Sequence, residues 1–241
     1  MNASWARYLR GAVSASLAVV LLAACGSGTS SGQRNITLTF VRHAESEANA
    51  ANIASTTVPG PPLTAAGQEQ ASALANRLAD GKFDGIYSSQ MTRSQQTAAP
   101  LSKALNEQVT VLPGLNEIPA GWFEDVPISE TSSTLLIGPQ SWLKGDRRFG
   151  IPGSVNGNQF NGAFTTAVQK IYDSGQTKPI AFSSGFAIMM WTLLNVRNGK
   201  NSLLTDHPLP NASQVVLTGN PDDGWTLVNW DGITNFSPDQ E

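Results

Sequence analysis

Arg42-His43 closes a short apolar run, Ile36-Thr37-Leu38-Thr39-Phe40-Val41, in a chain of 241 residues that has only two histidines. The run alternates and is β-branched, so it reads as a strand. A basic pair at the carboxyl end of a first strand stands where open α/β sheets place their ligand chemistry. The guanidinium of Arg42 is a planar fork suited to the oxygens of an anion. The imidazole of His43 is a nucleophile when neutral, attacking through one ring nitrogen while the other is oriented by a hydrogen bond. What His43 does therefore decides what the chain does.

The elements that must position this pair are legible along the chain. Thr64 reads as a helix N-cap, followed by helical periodicity from Ala65 to Ala79 that stops at Asp80-Gly81. Phe83 to Ser89 reads as a second strand. Met91 to Leu105 reads as a helix that Pro100 kinks or divides, with Ser89 as its cap. Val109 to Leu112 is a third short strand. Residues 119–161 are rich in Gly, Pro, Ser and Trp with weak periodicity, and read as an insertion over the mouth of the sheet with local helix near Thr131 to Leu136. Phe160 to Tyr172 is a helix, Pro179 to Ser183 a buried strand and Phe186 to Asn195 an apolar helix. Ser213 to Thr218 and Trp225 to Trp230 form a hairpin across Asp222-Asp223-Gly224. This order predicts an α/β fold, a three-layer α/β/α sandwich.

Several segments, in order, resemble the signatures of the histidine phosphatase superfamily, the phosphoglycerate mutase-like enzymes. Arg42-His43-Ala44 with Asn49 is similar to its Arg-His-Gly, four residues, Asn pattern, with Ala44 in place of the glycine. Leu63-Thr64-Ala65-Ala66-Gly67-Gln68-Glu69-Gln70-Ala71 is similar to its Leu-Thr-x-x-Gly-x-x-Gln-Ala stretch. Ser89 to Ala98, carrying Arg93 and Thr97, matches its Ser-x-x-x-Arg-x-x-x-Thr-Ala stretch. Leu115-Asn116-Glu117-Ile118, with Gly121 and Glu124, is similar to its Leu-x-Glu-Ile segment. The resemblance implies a phosphoglycerate mutase-like sandwich with the insertion over the carboxyl end of the sheet. It also implies phosphoryl transfer through a phospho-His43 intermediate.

Such transfer is mostly positioning and charge stabilisation, because the moving phosphoryl group spreads charge over three oxygens. Arg42 and Arg93 would clamp those oxygens, and their charge would hold His43 neutral. Glu117 would protonate the leaving oxygen once bound phosphate raises its pKa, unless it is a solvated turn residue. Asn49 is either a helix cap or a further phosphate donor, and the two roles are compatible. Two departures bear on turnover. Ser184, in Phe182-Ser183-Ser184-Gly185, stands where the family carries a second catalytic histidine, so it is expected at the phosphate as a single neutral donor. Ile151 to Gly157 has no carboxylate where the family has Gly-Glu-Ser. His207, in Asp206-His207-Pro208, reads as an exposed loop histidine rather than a replacement.

Residues 1–25 read as a lipoprotein signal peptide: Arg7 and Arg10, an apolar run from Gly11 to Leu22, then Leu22-Ala23-Ala24-Cys25, which resembles a lipobox. The only cysteine of the chain falls where lipidation requires it. Residues 26–35 are a Gly/Ser-rich tether, and residues 36–241 the histidine phosphatase-like domain. The expected location is the extracytoplasmic face of the cell membrane, anchored through lipidated Cys25. Formal net charge is −3 with no basic run, which argues against a nucleic-acid partner. No Cys/His/Asp cluster has metal-ligand spacing, so no metal or other cofactor is expected. The leader, the pocket and the tail Pro208-Leu209-Pro210-Asn211 together resemble the mycobacterial LpqD-type lipoproteins of the same superfamily. The two functions this leaves are slow phosphomonoester hydrolysis, or binding of a phosphorylated or anionic envelope ligand by a pseudo-phosphatase.

Overall fold

The computed structural model describes residues 34–236. The expected leader, Cys25 and most of the tether lie outside the described residues. In chain order the elements are β1 (Ile36–Arg42), α1 (Glu47–Ala50), α2 (Ala65–Leu78), β2 (Gly85–Ser88), α3 (Thr92–Leu105), β3 (Val109–Val111), α4 (Ile128–Leu143), α5 (Gly157–Asp173), β4 (Pro179–Ser183), α6 (Gly185–Asn195), α7 (Leu203–Asp206), β5 (Gln214–Asn220) and β6 (Gly224–Trp230). The six strands form one sheet in the order β3-β2-β4-β1-β5-β6. β1 to β4 run parallel, and the β5-β6 hairpin closes one edge antiparallel.

Alternation along β1 divides the core into two layers. Ile36, Leu38 and Phe40 pack with α5 and α6 on one face, whereas Val41 packs with Leu74 of α2 and Ala98 and Leu101 of α3 on the other. The expected three-layer α/β/α sandwich is what forms. On the first face an aromatic chain carries the packing outward. Phe40 lies 5.5 Å from Phe164, Phe164 5.9 Å from Phe160, and Phe160 stacks on Trp142 of α4 at 5.7 Å. The layer above the sheet is thereby fastened to the sheet itself.

Four local expectations need correction. α3 is not divided at Pro100, because Ala98 and Leu101 on either side of it are buried against the sheet and hold the helix to one course. Met91, not Ser89, is its N-cap residue; the Ser89 hydroxyl accepts instead from the Met91 N–H at 3.3 Å. The helix expected near Thr131 to Leu136 runs the full length of α4, through Gly138 and Pro139. Its periodicity is weak because Leu135 and Trp142 face a cavity while Ile137 points to solvent, leaving no single apolar stripe. Asn49 does not cap a helix: Ser46 caps α1, and Asn49 returns its side-chain oxygen to the Ser46 N–H in a capping box.

The Leu63 to Ala71 segment has a physical reason for its composition. Thr64 caps α2 by accepting from the Gly67 N–H at 2.9 Å. Its hydroxyl also donates to the Glu45 carboxylate at 2.7 Å, and its own N–H donates to the Glu45 carbonyl at 3.0 Å. Gln70 accepts from the Glu45 N–H at 2.9 Å. The first turn of α2 thus cradles the loop that follows β1. Gly67 is the closest approach: a Cβ there would lie 2.0 Å from the Glu45 carbonyl oxygen.

Gly67→Ala should therefore destabilise the protein by about 1–3 kcal/mol, the usual cost of overpacking. Gly162, mid-helix in α5, has nothing within 4 Å of its Cβ position. Gly162→Ala should stabilise by about 0.5–1 kcal/mol through helix propensity. Urea unfolding of the two variants beside wild type measures both signs.

Candidate active site

The parallel register of β1 and β4 sets Arg42 beside Ser183, and the His43 N–H donates to the Ser183 carbonyl at 2.9 Å. The two strands therefore end together, one delivering Arg42-His43 and the other Ser183-Ser184-Gly185. Beyond His43 the chain is tied down on every side. Ala44 donates its N–H to the Thr97 hydroxyl at 3.0 Å, and that hydroxyl donates to the Arg93 carbonyl at 2.7 Å. Arg93 and Thr97 are one turn apart on α3, so the same helix face anchors the loop and projects a guanidinium over it. Asn211 donates to the His43 carbonyl and to the Asn49 side-chain oxygen, both at 3.0 Å. Ala44 takes the glycine's place without strain, its methyl buried against Leu63 and Ala71.

His43 is buried, at 3% exposure. Its Nδ1 lies 2.8 Å from the Ala44 carbonyl, an acceptor only, so Nδ1 carries the proton and Nε2 the lone pair. Arg93 Nε donates to that Nε2 at 2.9 Å. One further donor of each arginine is held by a carbonyl. Arg93 Nη2 donates to the Ser55 carbonyl at 3.0 Å, and Arg42 Nη1 to the Leu209 carbonyl. Arg93 Nη1 and Arg42 Nε are buried with no protein acceptor. Unpaired buried donors of this kind are costly, and both are covered by protein: Arg93 Nη1 sits by Gly60 and Arg42 Nε by Gly185, at 3.0 and 3.1 Å from where a Cβ would stand.

Glu117 is carried by the turn after β3. The Ser183 hydroxyl holds the Leu115 carbonyl at 2.6 Å, and Asn116 accepts from the Gln90 N–H at 2.8 Å. The Glu117 carboxylate accepts from the Ile118 N–H at 2.8 Å and from the Phe186 N–H, in the first turn of α6, at 3.3 Å. It lines the same cavity as Arg42, His43, Asn49 and Arg93. Ser184 does not. It is fully buried behind Arg93, its hydroxyl accepting from Arg93 Nη2 at 3.4 Å, so it supports the guanidinium and has no place on the wall. His207 is exposed and outside the cavity, with its carbonyl accepting from Trp230 Nε1 at 2.8 Å.

Titration follows from this packing. Burial chiefly, then the charges of Arg93 and Arg42, hold His43 well below the usual 6.5, against a smaller opposing effect of the Ala44 carbonyl. Burial raises Glu117 above 4.5 and outweighs the Ile118 and Phe186 N–H groups and both arginines. The carboxyl is thus raised before any phosphate arrives.

One supporting network has no counterpart in the sequence reading, which noted Glu124 without giving it a role. Burial pushes Glu124 up, but hydrogen bonds from the Thr56 hydroxyl and from the Thr56 and Thr57 N–H groups outweigh it and hold the carboxyl below its usual value. This ties the Ser55 carbonyl, and with it Arg93, to the segment after β3. Asn211 and the carbonyls of Ser55 and Leu209 were likewise not singled out as supports. Glu124 had a motif position as a signal, and Leu209 and Asn211 stood in the Pro208-Leu209-Pro210-Asn211 tail.

The cavity over this floor has a volume of about 250 Å³, and residues 119–161 supply much of its wall, including Leu135, Pro139 and Trp142. Trp142 lines the cavity, Trp191 is core and Trp122 is 78% exposed.

The profile of the histidine phosphatase superfamily (branch 1) matches residues 38–232. A PE-PGRS family protein of Mycobacterium tuberculosis is 50% identical over 219 residues; the match covers 83% of this chain and 37% of that protein, so the chain spans little more than a third of that relative. Among solved structures, a mycobacterial hydrolase superposes with a TM-score of 0.69 at 19% identity, covering 84% of this chain and 100% of that one. A mycobacterial glucosyl-3-phosphoglycerate phosphatase gives 0.67 at 18% identity, covering 83% and 100%.

The titration of His43 is directly measurable. Imidazole NMR should find it neutral, with the proton on Nδ1, through the range where a free histidine near 6.5 titrates. Arg93→Gln should raise its pKa only partway, since burial is the larger cause. A normal titration near 6.5 in wild type contradicts the buried clamp.

Proposed function

Because the chain belongs to the histidine phosphatase superfamily (branch 1), we propose that it is a slow phosphomonoesterase working through a phospho-His43 intermediate. The observation that carries this is the buried contact of Arg93 Nε with His43 Nε2 at 2.9 Å, beside guanidinium nitrogens that have no protein acceptor. A phosphate dianion in the cavity that Arg42 and Arg93 line draws the Arg93 Nε–H off the lone pair of His43. Asn49 is a further donor: its side-chain oxygen is engaged by Ser46 and Asn211, leaving its amide N–H groups for the ligand.

In the first step Nε2 attacks phosphorus, the N–P bond forms and the P–O ester bond breaks. Glu117 gives its proton to the leaving oxygen. In the second step water attacks phosphorus, Glu117 takes the water's proton, and the N–P bond breaks to release phosphate and neutral His43. Ser184 limits the rate. One missing preorganised donor to a developing oxyanion costs about 10²–10³, and the buried hydroxyl behind Arg93 supplies none of it directly. That placement is also what favours the second reading, a pocket that holds a phosphorylated or anionic ligand without turnover.

The chain is further proposed to be a lipoprotein on the extracytoplasmic face of the cell membrane, anchored at Cys25. Support comes from the lipobox-like Leu22-Ala23-Ala24-Cys25 and a polar tether before the first strand. No helix of the described residues is long and apolar enough to cross a membrane. Labelling with a fatty-acid probe in a bacterial host should mark the wild type and not Cys25→Ser; equal labelling of both removes the anchor.

Assays of the full chain on p-nitrophenyl phosphate separate the two readings. Slow hydrolysis should be lost in His43→Ala and raised, by up to about 10²–10³, in Ser184→His. Activity should fall as pH rises through the elevated Glu117 pKa, because the carboxyl must hold its proton to give it away. Glu117→Gln should abolish that limb along with most of the rate. Phosphate binding with no turnover in wild type or Ser184→His leaves the binding protein as the answer.

A further inference from the structure

The wall above the phosphate floor has a consistent chemistry. Arg42 and Arg93 are the only cationic side chains among the described residues that line the cavity, and Glu117 is the only carboxylate. One phosphate dianion answers that charge. A second anionic group on the ligand finds no partner. Two of the wall's hydroxyls, those of Ser154 and Thr56, spend their protons within the protein. Ser154 donates to the Pro119 carbonyl at 2.5 Å. Thr56 donates to Glu124 and accepts from the Ala120 N–H at 2.9 Å. Ser46 accepts from the Asn49 N–H at 3.3 Å. Trp142 Nε1 is committed to the Phe149 carbonyl at 2.8 Å, so the ring offers the cavity only carbon. Apart from Asn49, Ser46 and Ser55, what remains facing inward is hydrocarbon, from Ile53, Leu135, Pro139, Phe186, Met189 and Leu209.

A polyhydroxylated leaving group would lose its water here and find few donors or acceptors in return, at a cost of about 1–3 kcal/mol for each unpaired group. A hydrocarbon gains from the same wall. The apolar surface continues outward. Ile128 both lines the cavity and is 37% exposed, which places it at the mouth. Trp122, Ile137 and Phe149, from the same segment, are large apolar side chains left in solvent.

We propose that this site takes the monophosphate of an apolar alcohol, its phosphate on Arg42, Arg93 and His43 and its alkyl or aromatic part against α4 and Phe186. This rests on the phosphate-binding reading above and adds the substrate class. The cavity, about 250 Å³, is just below the roughly 300–1,000 Å³ of drug-sized pockets. It suits a short chain or a single ring inside, with any longer part leaving past Ile128.

Non-hydrolysable phosphonates test the class without requiring turnover. Calorimetric titration of the full chain with methyl-, butyl-, hexyl- and phenylphosphonate should show affinity rising about fourfold per methylene until the tail fills the cavity. Hexylphosphonate should bind more tightly than 3-phosphoglycerate or glucose 6-phosphate. Ile128→Glu should weaken hexylphosphonate more than methylphosphonate, with circular dichroism confirming that the variant is folded. A flat chain-length series, or tighter binding of the polar phosphates, overturns the proposal and leaves the phosphate site intact. No binding of any phosphonate or of inorganic phosphate overturns the phosphate reading and this proposal with it. Phosphatidylcholine vesicles carrying phosphatidic acid distinguish the sources. Displacement of hexylphosphonate by the vesicles assigns the ester to a bilayer, and no displacement assigns it to a soluble compound; either result upholds the apolar class.

Discussion

Two guanidinium groups and one neutral imidazole share a buried pocket whose single carboxylate is itself pushed toward its protonated form. Like charges at this spacing repel, and burial removes the water that would screen them. The surrounding structure answers this with backbone. The Leu209 and Ser55 carbonyls take one donor from each arginine, and the Ser55 loop is fixed by Glu124 through Thr56 and Thr57. The first turn of α2, the Thr97 hydroxyl and Asn211 all converge on the few residues after β1 that carry His43. Much of the structure around the site is occupied with holding the two arginines against the cavity.

Ser184 has a structural consequence besides its effect on rate. A hydroxyl in place of an imidazole is short, and Arg93 leans across to it while keeping its Nε on His43. The guanidinium therefore lies between the His43 ring and the Ser184 hydroxyl. In the resting state it covers the lone pair that must attack. Turnover then depends on whether phosphate oxygens compete for Arg93 better than Nε2 and the Ser55 carbonyl do. A charged ligand in a water-poor pocket has the advantage in that exchange, since charge-assisted bonds are roughly twice as strong as neutral ones.

Much of this was legible in the sequence, for a definable reason. The strand before Arg42, the Thr64 cap, and the Arg93–Thr97 and Leu115–Glu117 segments carry side-chain chemistry at fixed spacings, and the structure brings Arg42, His43, Asn49, Arg93 and Glu117 to one cavity. Ser184 was placed correctly in the chain and wrongly in space, because sequence gives the end of β4 but not the side on which a short side chain falls. The Ser55 and Leu209 carbonyls were invisible, since any residue offers a carbonyl. α4 was underestimated for a different reason. Its apolar residues serve a cavity as well as a core, and Gly138 and Pro139 argue against helix locally while Trp142, stacked on Phe160, fixes its far end by tertiary packing.

The apolar wall and the charged floor belong to one physical design. Two charges 4 Å apart interact by about 1 kcal/mol in water and about 4 kcal/mol at the effective dielectric of a partly buried site. Hydrocarbon around the phosphate therefore strengthens the hold of Arg42 and Arg93 on it while also receiving an apolar leaving group. Arginine keeps its charge across the working pH range, whereas a second histidine would supply charge only below its own pKa. With Ser184 in that position, positive charge at the phosphoryl group comes from the arginines alone and is independent of pH. The proton inventory of the reaction then falls on Glu117, whose burial raises its pKa before any ligand is bound. In the proposed reaction such a site gives up rate at the transition state but keeps affinity for the dianion, and its pH response is set by one carboxyl.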